Sequence, residues 1–292
     1  MTKLSDYSCT YGNDGTAFFE TANQLGLGFP EAYVKAGDMA MLAKALRQDS
    51  SSKFCYLPFC HTVEAAALGA DINLGNEYAG PRARSYIFNS LDELSDLPEF
   101  DFSKGRISQV LDACRMLHAE GESVALEVCG PLTVLSALID IGQIIKGWRN
   151  KPEYMIEIFN GIGRQLIRYM NEAAMAGVRL ICYADPTGGL NITGPKLAEI
   201  VATNFTVPFL HECEMTLGGN ALIHLCPKTS LIITGLGLAE WHDIELDGVL
   251  SYEEACLEIL GKTGMVGAIC IQDAAKRLED CKIRSLTVLC RK

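Results

Sequence analysis

The sequence lacks an apolar run that is both long enough and free enough of polar residues to cross a bilayer. Its most apolar stretch, residues 123–145, contains Glu127, Gly130, Pro131 and Asp140, which are poorly suited to a bilayer core. The first residues also lack the basic start, apolar middle and small-residue cleavage site of a secretory signal peptide. We therefore expect a cytoplasmic protein with no membrane partner.

Positive charge is scarce in the chain. Its 292 residues include 25 Lys and Arg against 36 Asp and Glu, which gives a formal net charge of -11. This balance argues against a protein that holds nucleic acid or an anionic membrane by electrostatics. Proline-rich linkers, Ser/Gly-rich linkers, low-complexity tracts and repeats are absent too. We expect a single domain over residues 1–292, with residues 1–57 as an amino-terminal helical cap.

The twelve cysteines are the main reactive resource of the sequence. In a reducing compartment they are packing residues, metal ligands or reactive thiols rather than disulfides. Cys114, Cys213 and Cys256 fall on apolar helical stripes, so we expect them to be buried. Most of the others show no recognisable ligand spacing and are left unassigned: Cys9, Cys55, Cys60, Cys129, Cys182, Cys281 and Cys290.

Strand-like apolar runs alternate with helix-like segments, which is typical of a parallel α/β fold. The helical candidates are residues 152–176, residues 208–217 and a helix that starts at Ser251, where Glu254 completes a capping box. A closed (β/α)8 barrel and an open doubly wound sheet fit this pattern almost equally well. The strand candidates are 70–74, 124–128, 178–183, 221–226, 231–234, 265–269 and 286–289.

A candidate metal site lies at the ends of two of these strands. His224 and Cys226 are two residues apart, so in a strand both side chains point the same way, and Cys270 follows another strand. Two thiols and an imidazole with one open position are what a catalytic zinc ion (Zn2+) requires. The alternative is that His224 is a hydrogen-bonded core histidine and both cysteines are packing residues.

Several short motifs occur in a characteristic order along the chain. Together they resemble the uroporphyrinogen decarboxylase-like superfamily, and within it the zinc-dependent, corrinoid-linked methyltransferases. The resemblance runs from about Leu57 through Cys270, and it implies an α/β fold of the (β/α)8 TIM barrel type with an amino-terminal helical extension. The motifs are LPFCHTVE at 57–64, LGAD at 68–71, GPLT at 130–133, CYADP at 182–186 and HLC at 224–226.

The resemblance also implies an activity. The decarboxylases of this superfamily carry an arginine-rich amino-terminal segment, and no counterpart precedes Leu57, so porphyrinogen decarboxylation is disfavoured. The interval from Cys226 to Cys270 is shorter than in the methyltransferases that use coenzyme M. The chain looks more similar to the first methyltransferases of anaerobic O-demethylase systems. These imply Zn2+ at His224, Cys226 and Cys270, and a methyl group passed from a methoxylated aromatic compound to the cobalt(I) of a corrinoid (cobalamin) partner protein.

Two alternatives to this activity remain. The first is a methylcobalamin:thiol methyltransferase that uses the same zinc position. The second is a non-catalytic barrel that binds a small ligand or a corrinoid protein. In either enzyme we expect the corrinoid protein to dock at the carboxyl ends of the strands, because the methyl group must reach cobalt directly.

Three carboxylates complete the candidate site. Asp185 follows a strand end and is expected to hydrogen-bond the substrate or protonate the product, the alternative being a helix cap before Pro186. Glu127 and Glu77 also lie near strand ends, so each is expected either to line the site or to face solvent. The acidic residues Glu240, Asp243, Glu245 and Asp247 are interpreted mainly as a solvated loop, although one could be a fourth zinc ligand.

Overall fold

The computed structural model describes residues 4, 7 and 16–289. Three helices precede the first strand, as the predicted helical cap requires: α1 (Thr16–Gln24), α2 (Glu31–Val34) and α3 (Ala36–Ser50). They pack together through aromatic rings, with Phe18 and Tyr33 stacked at a centroid separation of 5.8 Å. Phe18 also meets Phe59 edge to face at 5.1 Å. This contact ties the cap to the segment that follows the first strand.

Two sheets contain the strands of the described part of the chain. The larger sheet has the order β1-β4-β5-β6-β8-β9-β7, and β2 pairs with β3 in a separate hairpin. Strands β1, β4, β5, β6 and β8 run parallel, whereas β9 is antiparallel to both of its neighbours. The strands are β1 (Cys55–Leu57), β2 (Asp71–Asn73), β3 (Arg82–Ser85), β4 (Val124–Cys129), β5 (Val178–Ala184), β6 (Leu222–Leu225), β7 (Ala239–Glu245), β8 (Met265–Val266) and β9 (Lys282–Val288).

Nine further helices occupy the described residues after β1. The long helix predicted at 152–176 is confirmed as α8, and the capping box of Ser251 and Glu254 is present at the start of α12. The helices are α4 (Val63–Ala67), α5 (Gly105–Ala119), α6 (Pro131–Ser136), α7 (Ile141–Asn150), α8 (Pro152–Met175), α9 (Leu190–Val201), α10 (Val207–Leu217), α11 (Pro227–Gly235) and α12 (Tyr252–Glu258). None of these helices, nor α1 to α3, is long and apolar enough to cross a membrane.

The parallel strands are buried on both faces, which explains their nearly continuous apolar sequences. One face, here called the α12 face, carries Ala125, Leu180 and Leu222 and packs against residues of α12. The other face packs against the long helices α5, α8 and α10. Alternation along the strands places Glu127, Cys182 and His224 on the α12 face, and the register aligns these three side by side.

The predicted and observed elements differ at several places. Residues 231–234 belong to α11 and not to a strand, because Pro227 starts a helix directly after β6. Residues 70–74 contain β2, but this strand lies in the hairpin outside the main sheet. The acidic stretch that starts at Glu240 is mostly strand β7, paired with β9, rather than a loop. The strands β1 and β3 were not among the predicted elements.

Residues 58–104 form a long excursion at the carboxyl end of β1. The excursion contains α4 and the hairpin of β2 and β3, and α5 then leads back to the start of β4. Active sites of parallel α/β folds lie at the carboxyl ends of the strands. The excursion and the ends of β4, β5, β6 and β8, here called the carboxyl edge, therefore form the region where a site is expected.

Candidate active site

His224 lies in β6 and is almost fully buried, with 1% of its surface exposed. Its Nε2 atom is 2.9 Å from the backbone oxygen of Ile269, and its ring meets Tyr252 of α12 edge to face. Burial lowers the pKa of His224 to about 4, so the imidazole is neutral at physiological pH. A carbonyl oxygen only accepts hydrogen bonds, so Nε2 carries the ring hydrogen in this arrangement.

Cys226 and Cys270 both lie at the carboxyl edge, each in the segment that follows a strand. Cys226 follows β6 directly and is half-buried, whereas Cys270 follows β8 and is 6% exposed. Each residue is the amino-terminal cap position of the short helix that follows it. Cys226 thus lies at a strand end as predicted, whereas β8 ends at Val266 and Cys270 lies four residues beyond it.

The predicted zinc set is only partly supported by this geometry. A neutral imidazole and two thiols are suitable donors for zinc. However, in residues 16–289 no three His, Cys, Asp or Glu side chains are placed so that they could hold one metal ion. The hydrogen bond between Nε2 of His224 and the carbonyl of Ile269 leaves Nδ1 of the neutral ring as the available donor atom, and His224, Cys226 and Cys270 stay a predicted ligand set.

Asp185 follows β5 and joins it to the start of α6. Its carboxylate accepts three hydrogen bonds, from the backbone amides of Leu132 and Thr133 and from the Thr133 hydroxyl. Burial raises the pKa of Asp185 to about 6, against the lowering effect of these hydrogen bonds. The alternative interpretation expected Asp185 to cap the helix that starts at Pro186. Its side chain instead caps α6, the helix that follows the neighbouring strand β4.

A glycine makes this contact between β5 and α6 feasible. A Cβ atom added at Gly130 would lie 2.5 Å from Cβ of Asp185, closer than side-chain carbons approach one another. The GPLT and CYADP motifs are therefore two halves of one structural contact at the carboxyl edge. A cavity beside it is lined by Asp185, Tyr183, Thr193 and Lys228, among others.

Glu127 forms a close pair with a residue whose role the sequence analysis missed. Oε1 of Glu127 lies 2.5 Å from Nε2 of His61, and both side chains are about a quarter exposed. Burial tends to lower the pKa of His61, but the hydrogen bond and charge of Glu127 outweigh it, so the pKa is raised. His61 belongs to the LPFCHTVE motif, but no spacing in the sequence connects it with Glu127, 66 positions away.

Glu64 lies behind this pair and is buried in the same excursion. Its Oε1 accepts a hydrogen bond from the backbone amide of Cys129 at 2.9 Å. Its Oε2 is buried and has no hydrogen-bond partner among the described residues. Burial raises the pKa of Glu64 to about 7, and the charges of Glu127 and His61 also act on it. Burial thus shifts the titration of this carboxyl toward neutral pH.

Glu77 lies apart from these residues. It is exposed in the turn between β2 and β3, outside the main sheet. Among the described residues it makes no hydrogen bond or ion pair with the other predicted site residues, so its predicted catalytic role stays a prediction.

The structure confirms burial of Cys114, Cys213 and Cys256, while Cys9 and Cys290 lie outside the described residues.

The chain is similar to known methyltransferases over most of its length. It is 23% identical to the methylcobamide:CoM methyltransferase MtaA of Methanosarcina barkeri (strain Fusaro), over 87% of this chain and 75% of that protein. A second MtaA from Methanosarcina barkeri is 25% identical over 76% of this chain and 65% of its own length. The methylcobamide:CoM methyltransferase MtbA of Methanosarcina acetivorans is 22% identical, over 74% of this chain and 64% of its own length.

The fold is also similar to that of a methyltransferase of known structure. The chain superimposes on a methyltransferase from Methanosarcina mazei with a TM-score of 0.64 and 23% sequence identity, over 75% of this chain and 64% of the other. The chain thus spans less than two thirds of that structure. The predicted α/β barrel fold with amino-terminal helices is confirmed. The sequence pattern of the uroporphyrinogen decarboxylase (URO-D) family matches residues 17–270, and the chain belongs to that family.

Proposed function

We propose that this protein is a methyltransferase that moves a methyl group between a small molecule and the cobalt of a separate corrinoid protein. The observation that carries the proposal is the similarity to methylcobamide:CoM methyltransferases, which extends over at least 74% of the chain in four relatives. The described residues support it by bringing chemically useful side chains together at the carboxyl edge. These include His224, Cys226, Asp185 and the pair of His61 and Glu127.

Zinc is part of this proposal, with His224, Cys226 and Cys270 as its ligands. A bound zinc ion would act as a Lewis acid toward the oxygen or sulfur of the small molecule. The donor types favour zinc, and the hydrogen bond between Nε2 of His224 and the carbonyl of Ile269 leaves Nδ1 to bind the ion. Since no three donors among the described residues are placed around one ion, metal binding at this position requires the donor side chains to move closer together.

The small molecule that we propose first is a methoxylated aromatic compound. In that reaction the methyl group leaves the ether oxygen and goes to cobalt(I), and the phenolate product takes up a proton. The sequence motifs favour this choice because they look most similar to the methyltransferases of O-demethylase systems.

A thiol is the second candidate for the small molecule. All four relatives carry the name methylcobamide:CoM methyltransferase, and coenzyme M is a thiol. In this case the methyl group leaves methylcobalt and the thiol loses its proton. Both reactions need one group that exchanges a proton with the small molecule.

We propose that the corrinoid protein docks at the carboxyl edge. The methyl group must pass directly between the small molecule and cobalt, so the corrinoid has to reach the same end of the strands. The excursion between β1 and α5 lies at this end and is the nearest part of the chain that could contact a partner.

The decisive experiment is a methyl-transfer assay with the purified, zinc-supplemented protein. One arm offers methylcobalamin with coenzyme M or with a simple thiol, and the other offers cob(I)alamin with a methoxylated benzoate. Loss of methylcobalamin with a thiol favours the second candidate, whereas methylation of cob(I)alamin favours the first. No transfer in either arm, with free cobalamin or with a purified corrinoid protein, would reject the enzyme and leave a ligand-binding barrel.

A further inference from the structure

We propose that His61 and Glu127 form the proton-exchanging pair of the site, and that Glu64 is a positioning residue that tunes it. The inference rests on the proposed methyl transfer, because either reaction requires that the small molecule lose or gain one proton. It assigns a role to His61 and Glu64, two residues of the LPFCHTVE motif to which the sequence analysis gave none.

The first argument is the geometry of the pair. Nε2 of His61 and Oε1 of Glu127 are 2.5 Å apart, close enough for a charge-assisted hydrogen bond. The side chains are 27% and 21% exposed, respectively, so the pair is only partly covered. A substrate at the carboxyl edge could therefore approach it, which it could not do if the pair were fully buried.

The second argument is position. Glu127 lies on the α12 face, where the register places it beside Cys182, and Cys182 is beside His224. Two strand spacings separate Glu127 from His224, which is roughly 10 Å. A small molecule bound between them could contact both.

The third argument is the buried carboxyl of Glu64. It comes three residues after His61, and its Oε1 is fixed by the amide of Cys129, two residues beyond Glu127 on β4. A buried carboxyl oxygen with no hydrogen-bond partner destabilises the folded protein, so its presence requires an explanation. The negative charge of Glu64 raises the pKa of His61 together with Glu127. Glu64 thus acts on the proton affinity of His61 without contacting solvent.

Other titratable groups among the described residues lie near the pair. The carboxylates of Glu127 from β4 and Glu64 from α4 act on His61. Behind Glu64 lie the thiol of Cys129 and the phenol of Tyr169 from α8, and burial raises the pKa of both well above the usual range. Arg106 of α5 donates hydrogen bonds to Cys60 and Thr62, the neighbours of His61. The two carboxylates oppose the effect of burial on His61.

The proton step balances in both directions of transfer. With a thiol, the S–H proton ends on the imidazole, which donates Nε2–H to Glu127. The S–H electron pair forms the new S–C bond, and the Co–C pair stays on cobalt as cobalt(I). With an aryl ether, the cobalt(I) pair forms the Co–C bond and the C–O pair stays on oxygen. The imidazolium then gives its proton to the phenolate, and the pair ends as carboxylate and neutral imidazole.

The test compares rate against pH for the wild type, His61→Gln, Glu127→Gln and Glu64→Gln, each loaded with zinc to equal content. We expect His61→Gln to slow transfer roughly 100-fold or more, the scale of general acid–base catalysis. Glu127→Gln should move the pH midpoint down by about one unit, because an anionic partner is lost. Glu64→Gln keeps an acceptor for the amide of Cys129, and it should move the midpoint in the same direction by less.

Matched measurements separate this role from a structural one. His211→Gln, at an exposed position of α10, serves as the control and should leave the profile unchanged. The pKa of His61, followed by NMR, should fall in both carboxyl variants while the unfolding midpoint of each protein is recorded. If the wild type is active and His61→Gln keeps its rate and profile, this inference is overturned and the proposed function stands. If the wild type transfers no methyl group, the proposed function fails, and an unshifted His61 pKa in Glu127→Gln would overturn the coupling as well.

Discussion

Oδ1 of Asp185 accepts hydrogen bonds from both the backbone amide and the side-chain hydroxyl of Thr133, at 2.7 Å and 2.6 Å. The two residues come after neighbouring strands, since Asp185 follows β5 and Thr133 lies in α6, the helix that follows β4. Oδ2 accepts the amide of Leu132 in addition. The carboxylate therefore satisfies the free amides at the start of α6 and locks two parts of the carboxyl edge together.

The first prediction concerns this carboxylate. In Asp185→Asn the side-chain NH2 must face the amide of Leu132 or of Thr133, so a donor meets a donor in a buried position. We expect a loss of about 1–2 kcal/mol in the free energy of unfolding, measured by chemical denaturation. Asp140→Asn is the control, because Asp140 caps α7 at an exposed position and asparagine is an equally good cap. Equal stability of the two variants would contradict the prediction.

The second prediction concerns the glycine opposite Asp185. In Gly130→Ala the new methyl group would overlap Cβ of Asp185, so the turn between β4 and α6 must shift. We expect a loss of about 1–3 kcal/mol in the free energy of unfolding, as in other overpacked sites. Gly248→Ala is the matched control, since a Cβ there meets no atom within 4 Å. If Gly130→Ala were as stable as Gly248→Ala, the close contact would be incorrect.

The third prediction is a pH dependence that arises from His224. Burial lowers its pKa from 6.5 to about 4, so the unfolded chain binds more protons between these values. The stabilising contribution of neutral His224 is complete above pH 6.5 and is lost as the pH falls to about 4. We expect the difference in unfolding free energy between wild type and His224→Gln to shrink by about 3 kcal/mol over this range.

The measurement compares the two proteins in the presence of a chelator, so that metal binding does not contribute. The raised pKa values of Glu64 and Asp185 act in the opposite direction, but they are common to both proteins and cancel in the difference. A difference that stays constant from pH 7 to pH 4 would mean that folding does not lower the pKa of His224.

The sequence predicts those parts of the fold that depend on local periodicity. Helix α8 repeats apolar residues at helical spacing over 24 residues, and β4 and β5 are apolar except for Glu127 and Arg179. The run at 231–234 is rich in β-branched and apolar residues, but Pro227 at the first helical position and the short connection after β6 favour a helix instead. A four-residue apolar run is too short to decide between the two structures.

The site is less predictable because its contacts are long-range. His224 and Cys226 attract attention since both lie at the end of one strand. His61 and Glu127 are brought together only by the pairing of β1 with β4, and Asp185 reaches Thr133 across 52 positions. Nothing in the composition or spacing of a sequence reports that a histidine and a glutamate will be 2.5 Å apart.

The last prediction concerns the metal. We expect protein purified anaerobically without chelators to contain about one zinc per chain, and Cys226→Ser and Cys270→Ser to lose it. Cys281→Ser is the control, because Cys281 is also partly exposed but lies before β9. Elemental analysis decides between three outcomes. Loss in both variants supports the predicted set, and retention in both would reject it. Loss in Cys226→Ser alone would keep Cys226 and exclude Cys270, which lies four residues beyond the end of β8.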